Sequence, residues 1–239
     1  MKWDKYEFHA RLRPAIWVAF PIAVAVLAWF PNPFAGWEAF VASIPAFGVF
    51  GLFALLARKA GRDKQGGLWE TWGGSPTMRL LRRRDTSLDW VTLERTHQIL
   101  AERVGVPAPS KDEEEADPET ADQVYEGYTH HLKEMTRDKK VHDLVAAENI
   151  NYGVSRNTWG LKPYGIGAAI VGLIASGIAI YFKWTASPLM AIAATVVCLI
   201  WLVLWCCHIN RSLVKVAGDG YAKALIGAAE RLENKSKAA

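Results

Sequence analysis

The chain has 239 residues, 51% of them hydrophobic and 22% charged, with a formal net charge of +4 at pH 7. A charge this small points to no polyanionic partner by itself, and an average soluble domain has a similar composition. The distribution argues against a soluble domain: apolar residues crowd into two blocks, roughly 12–57 and 163–209, and nearly all charges lie outside them.

In chain order, the first block divides into the run Pro14 to Phe30 and the run Trp37 to Ala57, broken by Pro-Asn-Pro at 31–33. The second divides into Pro163 to Phe182 and Pro188 to His208, broken at Lys183 to Ser187. A hydrocarbon core of roughly 30 Å takes about 20 apolar residues per helix. Three runs reach that length, and Leu12 with flanking aromatics extends the first. Pro21 and Pro45 fall inside helices, which membrane neighbours tolerate. The first run is too long for a signal-peptide core and ends in Trp-Phe-Pro, so it reads as a retained helix. The expected fold is therefore an all-α integral membrane protein with four transmembrane helices arranged as two hairpins.

Lys2, Lys5, Arg11 and Arg13 precede the first run, Arg58, Lys59, Arg62 and Lys64 follow the second, and Arg211 and Lys215 follow the fourth. Loop 31–36 has no basic residue and loop 183–187 has only Lys183. The positive-inside rule then puts both termini and the middle segment in the cytosol. The expected organisation is residues 1–57 as N-terminal segment and first hairpin, 58–162 as a small helical cytosolic domain, 163–209 as the second hairpin and 210–239 as a cytosolic tail. Labels at positions 34 and 186 are expected to be reached from outside, and one at 112 not. The three cysteines, Cys198, Cys206 and Cys207, sit in or at the end of one apolar run and imply no disulfide framework.

The middle segment carries three helical signals. Thr86 with Asp89 resembles a capping box before LDWVTLERTHQILAERVG. PSKDEEEADPET reads as an acidic linker, and Asp117-Pro118 as a cap with proline at the first helical position. Val124, Tyr128, Leu132 and Met135 follow at helical spacing, then Val141, Leu144, Val145, Glu148 and Tyr152, with Gly160 and Pro163 before the third membrane run. Such a domain is too small for a deep core by itself.

Catalysis needs a nucleophile with a base, paired acids or a metal cluster. His130-His131 project about 100° apart on a helix, Cys206-Cys207-His208 lacks a second ligand pair, and GGSPT lacks the ending of a phosphate loop. No enzyme, metal or cofactor is therefore expected. Glu148 interrupts an apolar stripe and reads either as a regulatory contact or as an acid bonded to Arg156, Asn151 or a backbone amide. The main basic feature is GGSPTMRLLRRRDTSLDW (73–90), with Arg79, Arg82, Arg83 and Arg84 beside a Gly-Gly turn. Three readings stay open: a site for an anionic ligand such as a nucleotide or oligonucleotide, with guanidinium forks and turn amides on phosphate; contact with anionic lipid; or internal or inter-subunit ion pairs with the acidic run Asp112 to Glu115. On the ligand reading, replacing Arg82, Arg83 and Arg84 by Gln leaves insertion intact and removes the response to the regulator.

No membrane run carries a charge in its middle, which argues against alternating-access transport. Ala168, Gly172 and Ser176 form a small-xxx-small face for helix packing. That face, or Trp201 and Trp205, would also suit an apolar constriction if subunits assemble around an axis.

Two hydrophobic hairpins flanking a small charged cytosolic domain resemble the four-helix membrane effectors of bacterial anti-phage systems. YEFHARLRP (6–14) and ENINYGVSRNTWGLKP (148–163) have the look of family signatures. The resemblance implies a multi-pass protein of the inner (cytoplasmic) membrane, a homo-oligomeric channel or pore gated through its cytosolic part by a nucleotide-type signal. The alternative is a non-conducting anchor or scaffold that recruits a cytosolic protein partner.

Overall fold

A computed structural model describes residues 8–27, 46–185 and 187–237, together with Tyr6 and Trp29. The Pro-Asn-Pro turn, Pro45 and positions 34 and 186 lie outside the described residues. Among the described residues the protein is helical without a strand: α1 (Arg13–Leu27), α2 (Ala46–Trp72), α3 (Pro76–Leu80), α4 (Trp90–Val104), α5 (Lys111–Ala116), α6 (Pro118–Met135), α7 (Asp143–Gly160), α8 (Lys162–Tyr181), α9 (Pro188–Val203) and α10 (Arg211–Lys237). A π-helical turn, Phe8–Leu12, leads into α1, and a second, Leu204–His208, extends α9.

Among the described residues two helices are long and apolar enough to cross a membrane: α8 with 20 residues, and α9 with its π-turn, 21 residues over Pro188–His208. The first apolar run supplies α1, of 15 residues. The second supplies the start of α2, which does not stop at Ala57: it continues through the basic stretch to Trp72. Arg58 to Gln65 contain no proline and only one glycine, so nothing local breaks the helix where the composition changes.

The chain divides into two compact units, residues 1–65 with 153–214, and residues 66–152 with 215–239. In the first unit α8 packs on both α1 and α9. Small residues make this possible. A Cβ at Gly165 would run into the Trp205 indole, and one at Gly172 would sit 2.7 Å from Cys198 Sγ and 2.9 Å from the Pro21 carbonyl oxygen. Ala168, Ser176 and Ala179 are buried along the same face. The opposite faces carry Val171, Ile174, Leu189, Ile192, Leu199 and Ile200, all more than 50% exposed. That is the distribution expected when the surroundings are hydrocarbon and the interface is small.

Pro21 has no N–H, so the carbonyl of Trp17 loses its helical partner. Trp201 supplies it, Nε1 donating to Trp17 O at 2.8 Å. Cys198 Sγ lies 3.4 Å from the Pro21 carbonyl. Lys162 Nζ donates to the carbonyls of Cys206 (2.9 Å) and Ile209 (2.7 Å) at the end of the second π-turn. Residues 148–163 belong to α7 and the start of α8. Within them Asn157 Nδ2 bonds the carbonyl of Ala10 (2.5 Å), and Gly160 meets the α2 backbone at Ala60 and Gly61 so closely that no Cβ fits.

The second unit closes around Leu80, Leu81, Tyr125, Tyr128 and Leu132, all fully buried, with Leu100 of α4 and Leu225 of α10. Burying each large apolar side chain is worth about 1.5–3 kcal/mol. Residues 210–239 thus differ from the expected tail: their Ala222, Leu225, Ile226, Ala228 and Ala229 at helical spacing form part of this core. Asp89, not Thr86, caps α4, accepting from Thr92 N at 2.9 Å. The expected acidic linker folds as α5 because Ser110 and Glu113 form a capping box. Asp117 and Pro118 start α6 as the sequence predicts, Asp117 accepting from Thr120 N at 3.1 Å.

Candidate functional site

Gly73 and Gly74, with φ of +79° and +137°, turn the chain out of α2 in conformations that side chains rarely adopt. Their amides are consumed by that helix, donating to the carbonyls of Glu70 (3.2 Å) and Trp69 (2.7 Å), so they form no open nest for an anion. The room left by the absent Cβ at Gly74 is taken by the Met78 methyl, and the Arg82 guanidinium lies next to it, 3.2 Å from where that Cβ would stand. The Gly-Gly turn and the arginines do adjoin, as the sequence reading required, but by packing.

Every one of the four arginines finds carboxylates within its own unit. Arg79 bridges Asp85 and Asp219, both at 2.6 Å. Arg82 holds Asp122 with a two-pronged grip, Nε to Oδ1 at 2.7 Å and Nη2 to Oδ2 at 2.6 Å. Arg83 holds Glu94 end-on through Nη1 and Nη2 (2.5 and 3.1 Å) and donates Nε to the Pro109 carbonyl at 2.7 Å. Arg84 reaches Glu114 (3.2 Å) and Asp122 (2.9 Å). Four guanidinium groups therefore face five carboxylates, Asp85, Glu94, Glu114, Asp122 and Asp219, and the cluster carries no surplus positive charge for a phosphate. Of the run Asp112 to Glu115, only Glu114 takes part.

Glu114 is 2% exposed. It accepts from the backbone N–H of Arg83 (2.8 Å) and of Arg84 (3.1 Å), from Tyr125 OH (2.6 Å) and from the Arg84 guanidinium. Burial alone would raise its pKa; these donors outweigh burial and hold it below the usual carboxylate range. Burial and the same hydrogen bond push the Tyr125 hydroxyl up. Burial likewise opposes Asp85, and the Ser87 bonds and Arg79 bring it down.

His97, absent from the sequence-level candidates, lies 1% exposed in the middle of this arrangement. Its ring stacks on Tyr125, centroids 5.5 Å apart. Its Nε2 is 2.7 Å from the Leu81 carbonyl, which only accepts, so Nε2 carries the proton. The buried Nδ1 has no hydrogen-bond partner. Burial lowers the His97 pKa and the bond to Leu81 opposes it.

Glu148 stands within 3.4 Å of Asn151 Nδ2, a long bond, and its Oε2 lies 3.1 Å from the position of a Cβ on Gly220. Ala168, Gly172, Ser176, Trp201 and Trp205 all serve helix packing inside one chain. Among the described residues no group of three or more histidine, cysteine or acidic side chains is placed to hold a metal. Comparison of the chain with protein-family models, with curated proteins and with solved structures gives no match.

Proposed function

We propose that the protein is a four-span membrane anchor that presents a folded helical module to the cytosol, where the module receives a protein partner. α1 with its π-turn and the apolar start of α2 form the first hairpin, α8 and α9 the second, and both termini are cytosolic. The setting is the one that the resemblance implies, a bacterial inner membrane with an anti-phage role. One observation carries the choice of anchor over channel: the groups that would serve a gated pore are already engaged within one chain. The arginines are neutralised by Asp85, Glu94, Glu114, Asp122 and Asp219. The small-residue face and both tryptophans pack α8 and α9 against each other and α1. The outward faces left over are apolar and suit lipid.

The test is reconstitution of the full chain into liposomes, with mass determination in nanodiscs. An anchor gives no discrete conductance and no potassium efflux above empty vesicles. A stable ring-sized oligomer with unitary currents overturns the anchor reading in favour of the oligomeric channel.

A further inference from the structure

A group of basic residues that no carboxylate neutralises lies in the first unit, midway along α2 just past its apolar start. Arg58, Lys59 and Arg62 share one turn and a half of helix. Among the described residues none of the three has a hydrogen-bond or ion-pair partner. They border a hollow together with Leu55, Leu56 and Asp63. Beside it an apolar cleft of about 360 Å³ runs between α1 and α2, walled by Val18 and Ile22 on one side and Phe53 and Leu56 on the other. Lys59 and Asp63 stand at its polar end, and Tyr164, 64% exposed, at its edge. Volumes of roughly 300–1,000 Å³ are usual for small-molecule sites.

We infer that this cleft is a phospholipid site: one acyl chain lies between α1 and α2, and an anionic headgroup phosphate rests on Lys59 and Arg62. The observations fix the chemistry in two ways. The cleft is apolar along its length and basic at one end, the same order as a phospholipid. The rim carries three positive groups against the single carboxylate of Asp63, so an anionic headgroup is favoured over a zwitterionic one. An exposed tyrosine at the edge suits the headgroup zone. The inference rests on the membrane reading for its setting. It also moves the anionic-lipid contact from the Arg79–Arg84 cluster, whose charges are neutralised, to a place where charges are free.

The full chain is purified in detergent micelles containing equal dioleoyl phosphatidylglycerol and dioleoyl phosphatidylcholine, and retained lipids are counted by native mass spectrometry. The expected result is one tightly retained phosphatidylglycerol. Retention falls about thirtyfold in Lys59→Gln/Arg62→Gln, the loss of two near-surface basic contacts. The same charge removal at Lys133 and Lys140 leaves it unchanged. Ala19→Phe, which fills the cleft and keeps both charges, also lowers retention. Equal retention of the two lipids, or undiminished phosphatidylglycerol in either cleft variant, overturns the site. Alkaline carbonate extraction of membranes reports separately on the anchor: release into the supernatant contradicts membrane integration, whatever the lipid count.

Discussion

Glu114 gathers donors from three places at once, the α3 turn, α6 and the Arg84 side chain. Removing one member of a buried ionic network strands the others, which costs more than the pair's net worth. Arg82→Gln and Glu114→Ala are each expected to destabilise the second unit by about 2–4 kcal/mol, read as a shift in chemical-denaturation midpoint. Lys111→Gln, whose partner Glu115 is exposed, changes it by less than about 0.5 kcal/mol. The triple replacement of Arg82, Arg83 and Arg84 by Gln is accordingly expected to unfold this unit, where the ligand reading of the sequence expects an intact protein. Acidity acts in the same direction through two sets of groups. His97 has a folded pKa below its unfolded value of about 6.5, so the unfolded chain takes up the proton first and stability declines as pH falls below about 6.5. Arg83, Glu94 and Glu114 are the charged groups that act on it. Asp85 and Glu114 have depressed folded pKa values, and their contribution is lost as pH falls below the unfolded values of about 4. A melting-temperature profile from pH 7.5 to 3 should therefore decline in two limbs, and His97→Gln should remove the upper one. A profile flat between pH 7 and 5 in the parent protein contradicts this assignment of His97.

Among the elements, α1 and α9 show how sequence and packing divide the information. The interruption at Pro21 is visible in the sequence, and so is an indole in the fourth run, but their pairing is not, because the long stretch of intervening chain sets it. The hydrogen bond from Trp201 to the carbonyl freed by Pro21 gives a double-mutant cycle. Trp201→Phe alone is expected to cost about 1–3 kcal/mol by leaving a buried carbonyl unsatisfied. In a Pro21→Ala background, where the introduced alanine has an N–H that can bond that carbonyl, the same change should cost clearly less. Equal costs in both backgrounds, measured by thermal aggregation in detergent, contradict the capping role. The other elements are legible to different degrees. The start of α6 is, because Asp117-Pro118 acts within one turn. Helix α5 reads as a linker because six residues give no period, although its capping box, Ser110 and Glu113, is there to be seen. Of the acidic residues in that stretch only the fold singles out Glu114, since its donors come from other elements.

At the scale of the whole molecule, the all-helical class and the apolar blocks follow from composition and periodicity. The boundaries do not. The change from apolar to charged at Ala57/Arg58 looks like an edge, yet α2 runs through it, and the unit boundary falls near Gln65. The C-terminal segment looks like a tail because its apolar stripe is diluted by lysine and glutamate, and it is a core helix of the second unit. The basic cluster at 79–84 resists assignment for the same reason: charge is readable in one dimension, but the carboxylates that cancel it come from positions as distant as Asp122 and Asp219. The proposed anchor holds that unit on the cytosolic side. Labelling of intact cells with a membrane-impermeant maleimide, in a variant whose Cys198, Cys206 and Cys207 are replaced by alanine, tests this placement most directly. A single cysteine introduced in place of Trp184, between α8 and α9, should be labelled from outside. A single cysteine in place of Asp112 should be labelled only after the membrane is permeabilised. Labelling of Asp112→Cys in intact cells, or protection of Trp184→Cys there, would contradict the account.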